Sequence, residues 1–279
     1  MASPARLQPW PHPVAARRRA GHLSLVTRQF DYWVTVYRRT WRGSVVYSFL
    51  TPVLLLAALG GVLGGYVDAA RPDLAPARSY LEFVATGLLA GQMAQIAVQE
   101  VLWPVMARIT WNKTYHAMIV TPLTVPDVVL AHLLYVLFRL ATTAAVFMAV
   151  LAVVGVFRSA WWALAVFGVQ LLVGWVFAAL FYIVGARARS DSAFSVVYRA
   201  VFLPVFFFSG AFFPVANLAP ALQAAAKATP LWHGVELTRM LAAGVPSAGM
   251  LAVHLGYLIL VGALGTVAAV RSLRHRIVS

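Results

Sequence analysis

Cysteine is absent from this sequence of 279 residues, and charged residues are scarce. Without cysteine the chain has no disulfides, no thiolate nucleophile and no cysteine-ligated metal, and its redox compartment cannot be inferred. Only 11% of the residues are charged and 62% are hydrophobic, whereas an average soluble domain is about a quarter charged and about half apolar. This composition is typical of a protein embedded in lipid.

Acidic residues are much rarer than basic ones. The chain has 8 Asp and Glu against 22 Lys and Arg, which gives a formal net charge of +14. Such a surplus can indicate nucleic-acid binding, but the basic residues lie mostly in short segments beside apolar runs, where they would meet anionic lipid headgroups. We therefore expect membrane lipids as a partner, and no nucleic acid.

The motifs of energy-converting and hydrolytic enzymes are also missing. No Gly-x-x-x-x-Gly-Lys-[Ser/Thr] phosphate loop is present, and Gly60, Gly61, Gly64 and Gly65 lie in an apolar run, where they indicate close helix packing. No His-Glu-x-x-His or Gly-x-Ser-x-Gly occurs, and none of the seven histidines is paired with a carboxylate at metal-ligand spacing. The sequence predicts no catalytic centre, metal site or cofactor, so any energy for transport would come from another chain.

Six apolar runs make up most of the sequence. Each is roughly 20 residues or longer, enough to cross about 30 Å of hydrocarbon as a helix. They cover residues 44–66, 80–103, 128–151, 161–185, 193–213 and 250–270. Helices are required because unpaired backbone groups in hydrocarbon cost several kcal/mol each, and the runs lack the alternation of barrel strands. The predicted fold is an all-α membrane protein with six transmembrane helices in one domain, residues 23–279.

Lys and Arg are unevenly distributed around these runs. Fifteen of the 22 precede the first run or lie in the second and fourth connections and the tail, five lie in the other connections, and two lie inside runs. Because basic residues favour the cytoplasmic side, both termini are expected there. The first run starts some forty residues in and is long enough to span, which argues against a cleaved signal peptide. Frequent Ala, Val, Arg and Gly resemble a high-GC bacterial proteome, so we expect a bacterial plasma membrane.

The residues before the first run divide into a basic tail and an amphipathic segment. Residues 1–22 are predicted to form a disordered cytoplasmic tail. After them, an apolar stripe recurs at helical spacing, with a polar stripe on the opposite face. The apolar stripe is Val26, Phe30, Trp33, Tyr37 and Trp41, and the polar stripe is Arg28, Asp31, Thr35, Arg38, Arg39 and Arg42. This predicts a helix in the membrane interface, either an anchor or a lever that transmits motion from a cytoplasmic partner.

The connection between spans two and three is the longest internal cytoplasmic one, from Pro104 to Asp127. Its middle, near residues 109–119, is predicted to form a short helix, which Pro122 and Pro126 end before the chain re-enters lipid. A short helix held out between two spans is well placed to receive a partner. A passive connector is the alternative.

After span five, residues 214–249 do not re-enter lipid directly. Two short helical pieces are predicted, the first capped by Asn217 and the second opened by Thr229 and Pro230 and ended by Gly244. The segment is too polar to span and too apolar for a free loop. We expect a re-entrant segment that dips into the outer leaflet.

Three charged residues lie inside the predicted spans, where an unpaired charge costs at least about 2.5 to 3.5 kcal/mol. Glu100 and Arg199 have similar depths from the cytoplasmic side and are predicted to pair, whereas Arg139, near the middle of span three, is expected to face protein or water. Structural pairing or snorkelling, a translocation path and a proton relay all remain open for these charges. Glu82 and His254 are expected at the outer interface.

The end of span five and the segment after it carry a recognisable pattern. Ser-Gly-x-Phe-Phe-Pro is followed by Pro-Leu-x-His and an Arg, at Ser209, Gly210, Phe213, Pro214, Pro230, Leu231, His233 and Arg239. Tyr80 and Phe83, Tyr115, and the Thr-Pro-Leu of residues 121–123 add to it. Together these segments resemble the membrane subunits of ABC-type exporters for polysaccharides, lipo-oligosaccharides and drugs. The nearest likeness is to the nodulation-factor export and daunorubicin-resistance permeases.

The resemblance implies a permease that moves a hydrophobic or amphipathic solute, such as a lipo-oligosaccharide, glycolipid or drug, out of the cytoplasm or inner leaflet. It implies a dimer with a second permease subunit, identical or related, and a pair of cytoplasmic ATP-binding subunits that carry ATP and Mg. The implied docking region contains Arg108, Trp111, Lys113, Tyr115, His116 and Met118. An apolar constriction would be formed by Phe206, Phe207, Phe212 and Phe213, with helix packing and lipid contact as the alternative. An outer gate or support would contain Pro230, His233, Glu236 and Arg239.

Two other functions compete with this one. An ion-coupled secondary transporter of a lipophilic solute usually has internal repeats and spans broken by Gly or Pro, and neither is clear here. A membrane-embedded enzyme would need a cluster of Asp, Glu or His, which the sequence lacks. Export is therefore the leading hypothesis.

Overall fold

The computed structural model describes residues 22–69 and 74–278 and contains helices but no strand among these residues. The helices are α1 (His22–Leu55), α2 (Gly64–Ala69), α3 (Tyr80–Thr110), α4 (Thr114–Ile119), α5 (Val125–Val153), α6 (Ala160–Arg187), α7 (Asp191–Val197), α8 (Leu203–Phe208), α9 (Pro220–Lys227), α10 (Pro230–Ala242) and α11 (Ala248–Ile277). Four of them, α3, α5, α6 and α11, are long and apolar enough to cross a membrane. The predicted all-helical class is confirmed. Of the predicted basic tail, residues 1–21 lie outside the described residues.

The N-terminal amphipathic segment and the first predicted span form one continuous helical run. α1 passes into a π-helical stretch, Leu56–Leu63, and then into α2 without a break. The predicted apolar stripe is real, because Trp33 and Tyr37 are buried against α5, while Arg28 and Arg38 are exposed on the other side. The apolar face of this segment therefore packs on another helix of the bundle.

α3 is the centre of the bundle and is buried along most of its length. α6 approaches it closely at Gly185, where an added β-carbon would lie 2.8 Å from the carbonyl oxygens of Val101 and Leu102. Of the glycines predicted to allow close packing, Gly60 contacts the side chain of Leu81, whereas Gly61 and Gly65 face open space. Close approach thus holds for Gly60 and fails for those two.

The fifth apolar run is helical from α7 to α8, with a π-helical stretch, Tyr198–Phe202, between them. At its end the N–H of Leu203 bonds to the carbonyl of Tyr198, five residues back. Pro204 follows, and proline cannot donate a bond of its own to the helix. The helix ends at Phe208, earlier than the predicted residue 213, because Gly210 at φ 85° turns the chain.

Two short helices follow this turn, as predicted, but the first has a different start. α9 begins at Pro220 after Ala219, and Asn217 lies in a separate 3-10 turn, so the predicted Asn217 cap is wrong. Proline at the first helical position sets the start instead. In α10 the Thr229 hydroxyl accepts from the N–H of Trp232, and the helix ends just before Gly244 at φ 68°. Both ends of this second piece are confirmed.

Candidate functional site

The short helix α4 lies in the turn between two long helices. α3 ends at Thr110, Lys113 adopts a left-handed conformation at φ 49°, and α4 begins directly after it. α5 then starts with a capping box, in which Asp127 Oδ2 accepts from the N–H of Thr124 at 2.9 Å. A short helix in this connection was predicted and is present. Pro126 lies in the first turn of α5 and so begins that helix.

A buried polar cluster attaches α4 to the bundle. The Tyr115 hydroxyl lies 2.8 Å from His132 Nδ1, and Arg108 Nη1 lies 2.8 Å from His132 Nε2. A guanidinium can only donate, so Nε2 accepts and the proton of a neutral imidazole is on Nδ1, from which it is donated to Tyr115. Tyr115 is fully buried, and burial raises the pKa of its hydroxyl, which keeps the phenol neutral. The contact links α4 to α5 and, through Arg108, to α3.

Two aromatic residues from other helices complete this cluster. Trp33 of α1 stacks on His132 with ring centroids 5.5 Å apart, and the guanidinium carbon of Arg108 lies 4.0 Å from the centre of the Trp33 ring. Tyr182 of α6 meets His132 edge to face at 5.6 Å. We call Trp33, Arg108, Tyr115, His132 and Tyr182 the His132 cluster. It joins α1, α3, α4, α5 and α6.

The sequence did not indicate His132, Trp33 or Tyr182 as site residues. Their partners are far apart in the chain: Arg108 and His132 are separated by 24 residues. The one signal available was His132 itself, a lone imidazole in an apolar run, since buried polar groups need hydrogen-bond partners.

The exposed side of α4 and its flanks is different in character. Trp111 and Lys113 are exposed, and Trp111 packs edge to face on Trp103 with ring centroids 4.6 Å apart. Val120, just after α4, is also exposed. We call Trp103, Trp111, Lys113 and Val120 the α4 patch. Of the other residues placed in the docking region, Arg108, His116 and Met118 are half-buried and Tyr115 is in the interior.

The charges inside the predicted spans pair differently from the prediction. Glu100 Oε1 lies 2.9 Å from Arg139 Nη2, and the two side chains are only 20% and 15% exposed. Arg139 also lies over the Tyr37 ring at 4.9 Å. The predicted pair of Glu100 with Arg199 is wrong, because Arg199 is exposed and lines an open groove with Leu102 and Phe194. Similar depth along two helices does not make their side chains face each other.

The phenylalanines predicted to form a constriction are in mutual contact. The rings of Phe206, Phe207 and Phe212 have centroids 5.4 to 5.7 Å apart. Phe213 meets Phe208 at 6.5 Å. Phe207 is 49% exposed, so the cluster reaches the surface of the chain at the end of α8. A role in a transport path stays a prediction.

Arg239 holds the outer segment against the bundle. It is 4% exposed, and its Nη2 donates to the Gly210 carbonyl at 2.9 Å while its Nη1 donates to Glu236 at 3.1 Å. Its guanidinium carbon lies 3.8 Å from the centre of the Phe83 ring. Burial lowers the pKa of Arg239 to about 10, so the side chain remains charged at neutral pH. One residue thereby connects α10, α3 and the turn after α8.

A pair of histidines lies on the other side of α10. His233 Nδ1 is 2.7 Å from His254 Nδ1, and the His233 ring stacks on Tyr257 at 3.9 Å. Burial, together with His254, lowers the pKa of His233 to about 4. His254 and Glu82, expected at the outer interface, are both buried, and Glu82 pairs with Arg78 at 3.0 Å. Among the described residues no three His, Asp or Glu side chains are placed to hold a metal.

Comparison with known proteins identifies the family. The sequence model of the ABC-2 type transporter family matches residues 24–242, so the chain belongs to this family and is the permease, or membrane subunit, of an ABC transporter. It is 32% identical to Nodulation protein J of Sinorhizobium fredii over 257 residues, 88% of this chain and 94% of that protein. It is 31% identical to Nodulation protein J of Rhizobium leguminosarum bv. viciae, over 81% of this chain and 87% of that protein. For Nodulation protein J of Bradyrhizobium diazoefficiens the identity is 29%, over 92% and 98%.

Proposed function

We propose that this chain is the permease subunit of an ATP-driven exporter that moves a hydrophobic or amphipathic solute out of the cytoplasm or inner leaflet. The observation that carries the proposal is the construction of α4. Its patch is exposed to a partner, while the buried His132 cluster attaches the same segment to five helices of the bundle. The likeness to Nodulation protein J supports a lipo-oligosaccharide or glycolipid as the solute.

In this proposal the chain crosses the membrane six times with both termini in the cytoplasm of a bacterial cell. Besides the four long helices, Val53–Ala69 and Ser192–Phe208 are shorter apolar helices. At 1.5 Å per residue each is roughly 25 Å long, close to the hydrocarbon thickness. They would be spans one and five, and α11 would return the chain to the cytoplasm.

The pair α9 and α10 would be a re-entrant hairpin on the outer side. His233 contacts His254, which lies six residues after α11 begins, roughly 9 Å along the helix axis. Gly234 contacts Val173, thirteen residues into α6, roughly 20 Å along its axis. These contacts support a hairpin whose tip is well below the outer ends of α6 and α11.

Topology reporters test this arrangement. Fusions after Thr110 and at Ser279 should read cytoplasmic, and a fusion after Ala225 should read external. A truncated fusion can be misplaced, so cysteine labelling of the full-length chain, which has no natural cysteine, should give the same pattern. A cytoplasmic reading at Ala225 would contradict the re-entrant hairpin and the six-span arrangement together.

The mechanism we propose passes through the α4 patch and the His132 cluster. A pair of ATP-binding subunits would dock on the patch, and their closure on ATP would move α4. Because Tyr115 and Arg108 both bond to His132, movement of α4 shifts α5 and α3 together, and Trp33 carries the movement to α1. A second permease subunit would complete the path, with the phenylalanines after Val205 as an apolar constriction.

A double substitution of the patch tests the docking step. Trp111→Ala with Lys113→Ala should reduce co-purification of the ATP-binding subunit about tenfold or more, since buried aromatic contacts dominate most interfaces. Thermal unfolding of the permease in detergent should not change, because both side chains are exposed. The matched control is Trp161→Ala with Lys227→Ala, also exposed and placed on the opposite side of the proposed bilayer.

The contrasting variant is Tyr115→Phe, which keeps the ring and removes the hydroxyl that bonds to His132. It should retain the ATP-binding subunit but lower transport-coupled ATP hydrolysis. Tyr115→Ala is less informative, because removing a fully buried ring costs about 3 to 5 kcal/mol and would destabilise the bundle. Equal loss of the ATP-binding subunit in the patch double variant and its control would contradict docking at α4.

A further inference from the structure

A basic groove lies at the end of α11, away from the α4 patch. It consists of two adjoining open cavities of about 480 and 400 Å³ that share Arg274 and Val278. One wall is the connection from α4 to α5, with Ile119, Leu123 and Pro126. The other wall is the last turns of α11, with Val270, Arg271, Arg274, His275 and Val278.

The charge of this groove is not neutralised within the described part of the chain. Arg271 and Arg274 are exposed, and neither forms an ion pair with another described residue. The carboxylate nearest in sequence to the groove wall is Asp127, which is buried and accepts from the N–H and the hydroxyl of Thr124. It is committed to the start of α5, so the groove presents two unpaired guanidinium groups above an apolar floor.

The floor continues into the apolar length of both helices. On α11, Leu260, Leu264 and Val267 are exposed, and their spacing of three and four residues leads to Arg271 and Arg274 on the same helical face. On α5, Leu130 and Leu134 are exposed and lie one and two turns after Pro126. An apolar stripe that ends in two arginines matches the order of an acyl chain and a phosphate along one lipid molecule.

We propose that this groove binds an anionic phospholipid, with its phosphate at Arg271 and Arg274 and an acyl chain along the stripe formed by Leu260, Leu264 and Val267. Basic pockets between helices on the cytoplasmic side are a known form of anionic-lipid site. The side of the membrane rests on the orientation in the proposed function. A soluble phosphate compound would use the arginines but not the stripe. The lipid would also contact Ile119 and Leu123, and would therefore support the end of α4 against α11.

Native mass spectrometry of the purified full-length chain in detergent tests the site. The probes are dioleoylphosphatidylglycerol, dioleoylphosphatidylcholine and glycerol phosphate. Arg271→Gln with Arg274→Gln should weaken binding of the phosphatidylglycerol about tenfold, from the loss of two cations near the phosphate. Arg271→Lys with Arg274→Lys should keep most of it, and phosphatidylcholine should bind weakly to every variant.

The matched control is Arg187→Gln with Arg189→Gln, two exposed arginines at the end of α6 that line no part of the groove. Equal weakening by both double variants would show a general charge effect and overturn the site. Glycerol phosphate binding as tight as the lipid would replace it with a soluble-phosphate site. Loss of lipid binding only through contacts of the ATP-binding subunit is excluded, because that subunit is not in the sample. The result is therefore independent of whether docking at α4 succeeds or fails.

Discussion

Removing either partner of the ion pair between Glu100 and Arg139 should destabilise the protein strongly. A fully buried pair broken on one side costs about 3 to 5 kcal/mol, because the remaining charge has no partner. Here the side chains are 20% and 15% exposed, so water reduces the cost and we expect about 2 to 3 kcal/mol for Arg139→Gln. Glu100→Gln should cost less, since the Arg139 guanidinium keeps its contact with the Tyr37 ring.

A double-mutant cycle measures this coupling directly. The two single variants and Glu100→Gln with Arg139→Gln are unfolded in nanodiscs, and the double variant should be less destabilised than the sum of the singles. Arg199→Gln is the matched control: it removes an arginine from another predicted span, but this one is exposed and should have little effect. Additive effects of Glu100→Gln and Arg139→Gln would contradict the pair.

The periodicity of the sequence located the long helices but not which side chains meet. α3, α5, α6 and α11 were predicted because an apolar run long enough to span must be a helix in lipid. The error over Glu100 has a geometric cause. Rise per residue gives the height of a charge along its helix, whereas a pair also requires that both side chains point toward each other, which depends on how the helices pack.

Short elements were harder to interpret for a related reason. α4 has six residues, fewer than two turns, so no hydrophobic period could indicate that Tyr115 faces inward and Lys113 outward. In α1, the change from charged to apolar residues near Gly43 predicted a break, but glycine costs a helix only about 1 kcal/mol and the helix continues. The outer helices followed their local signals where these agreed: Thr229, Pro230 and Gly244 mark α10 correctly.

The His132 cluster could not be assembled from the sequence for another reason. Its residues come from five helices, and each is unremarkable within its own run. What the sequence does contain is an unexplained cost: a histidine, an arginine and a tyrosine must all find partners if they are buried in an apolar bundle. The structure shows that each of the three is a partner of another, so that their requirement for partners also fixes α4 in position.

Arg239→Leu should be the most destabilising change in the outer segment. It would leave the Gly210 carbonyl without its donor and Glu236 without its ion-pair partner, in a place where Arg239 is 4% exposed. An unsatisfied buried acceptor costs about 1 to 3 kcal/mol, and more for a charged one. We therefore expect a loss of about 3 kcal/mol or more in the free energy of unfolding.

The variants around this position separate charge from geometry. Arg239→Lys should give an intermediate loss, because one ammonium cannot replace the planar fork that reaches both Gly210 and Glu236. Arg158→Leu, an exposed arginine beside the end of α10, is the matched control and should change stability by no more than about 0.5 kcal/mol. Unfolding in nanodiscs gives these values, and external protease on spheroplasts should cut residues 211–229 faster in Arg239→Leu. If Arg239→Leu were as stable and as protease-resistant as Arg158→Leu, the outer segment would have to be held by the pair His233 and His254 and by the contact of Gln170 with Thr238, and not by the arginine.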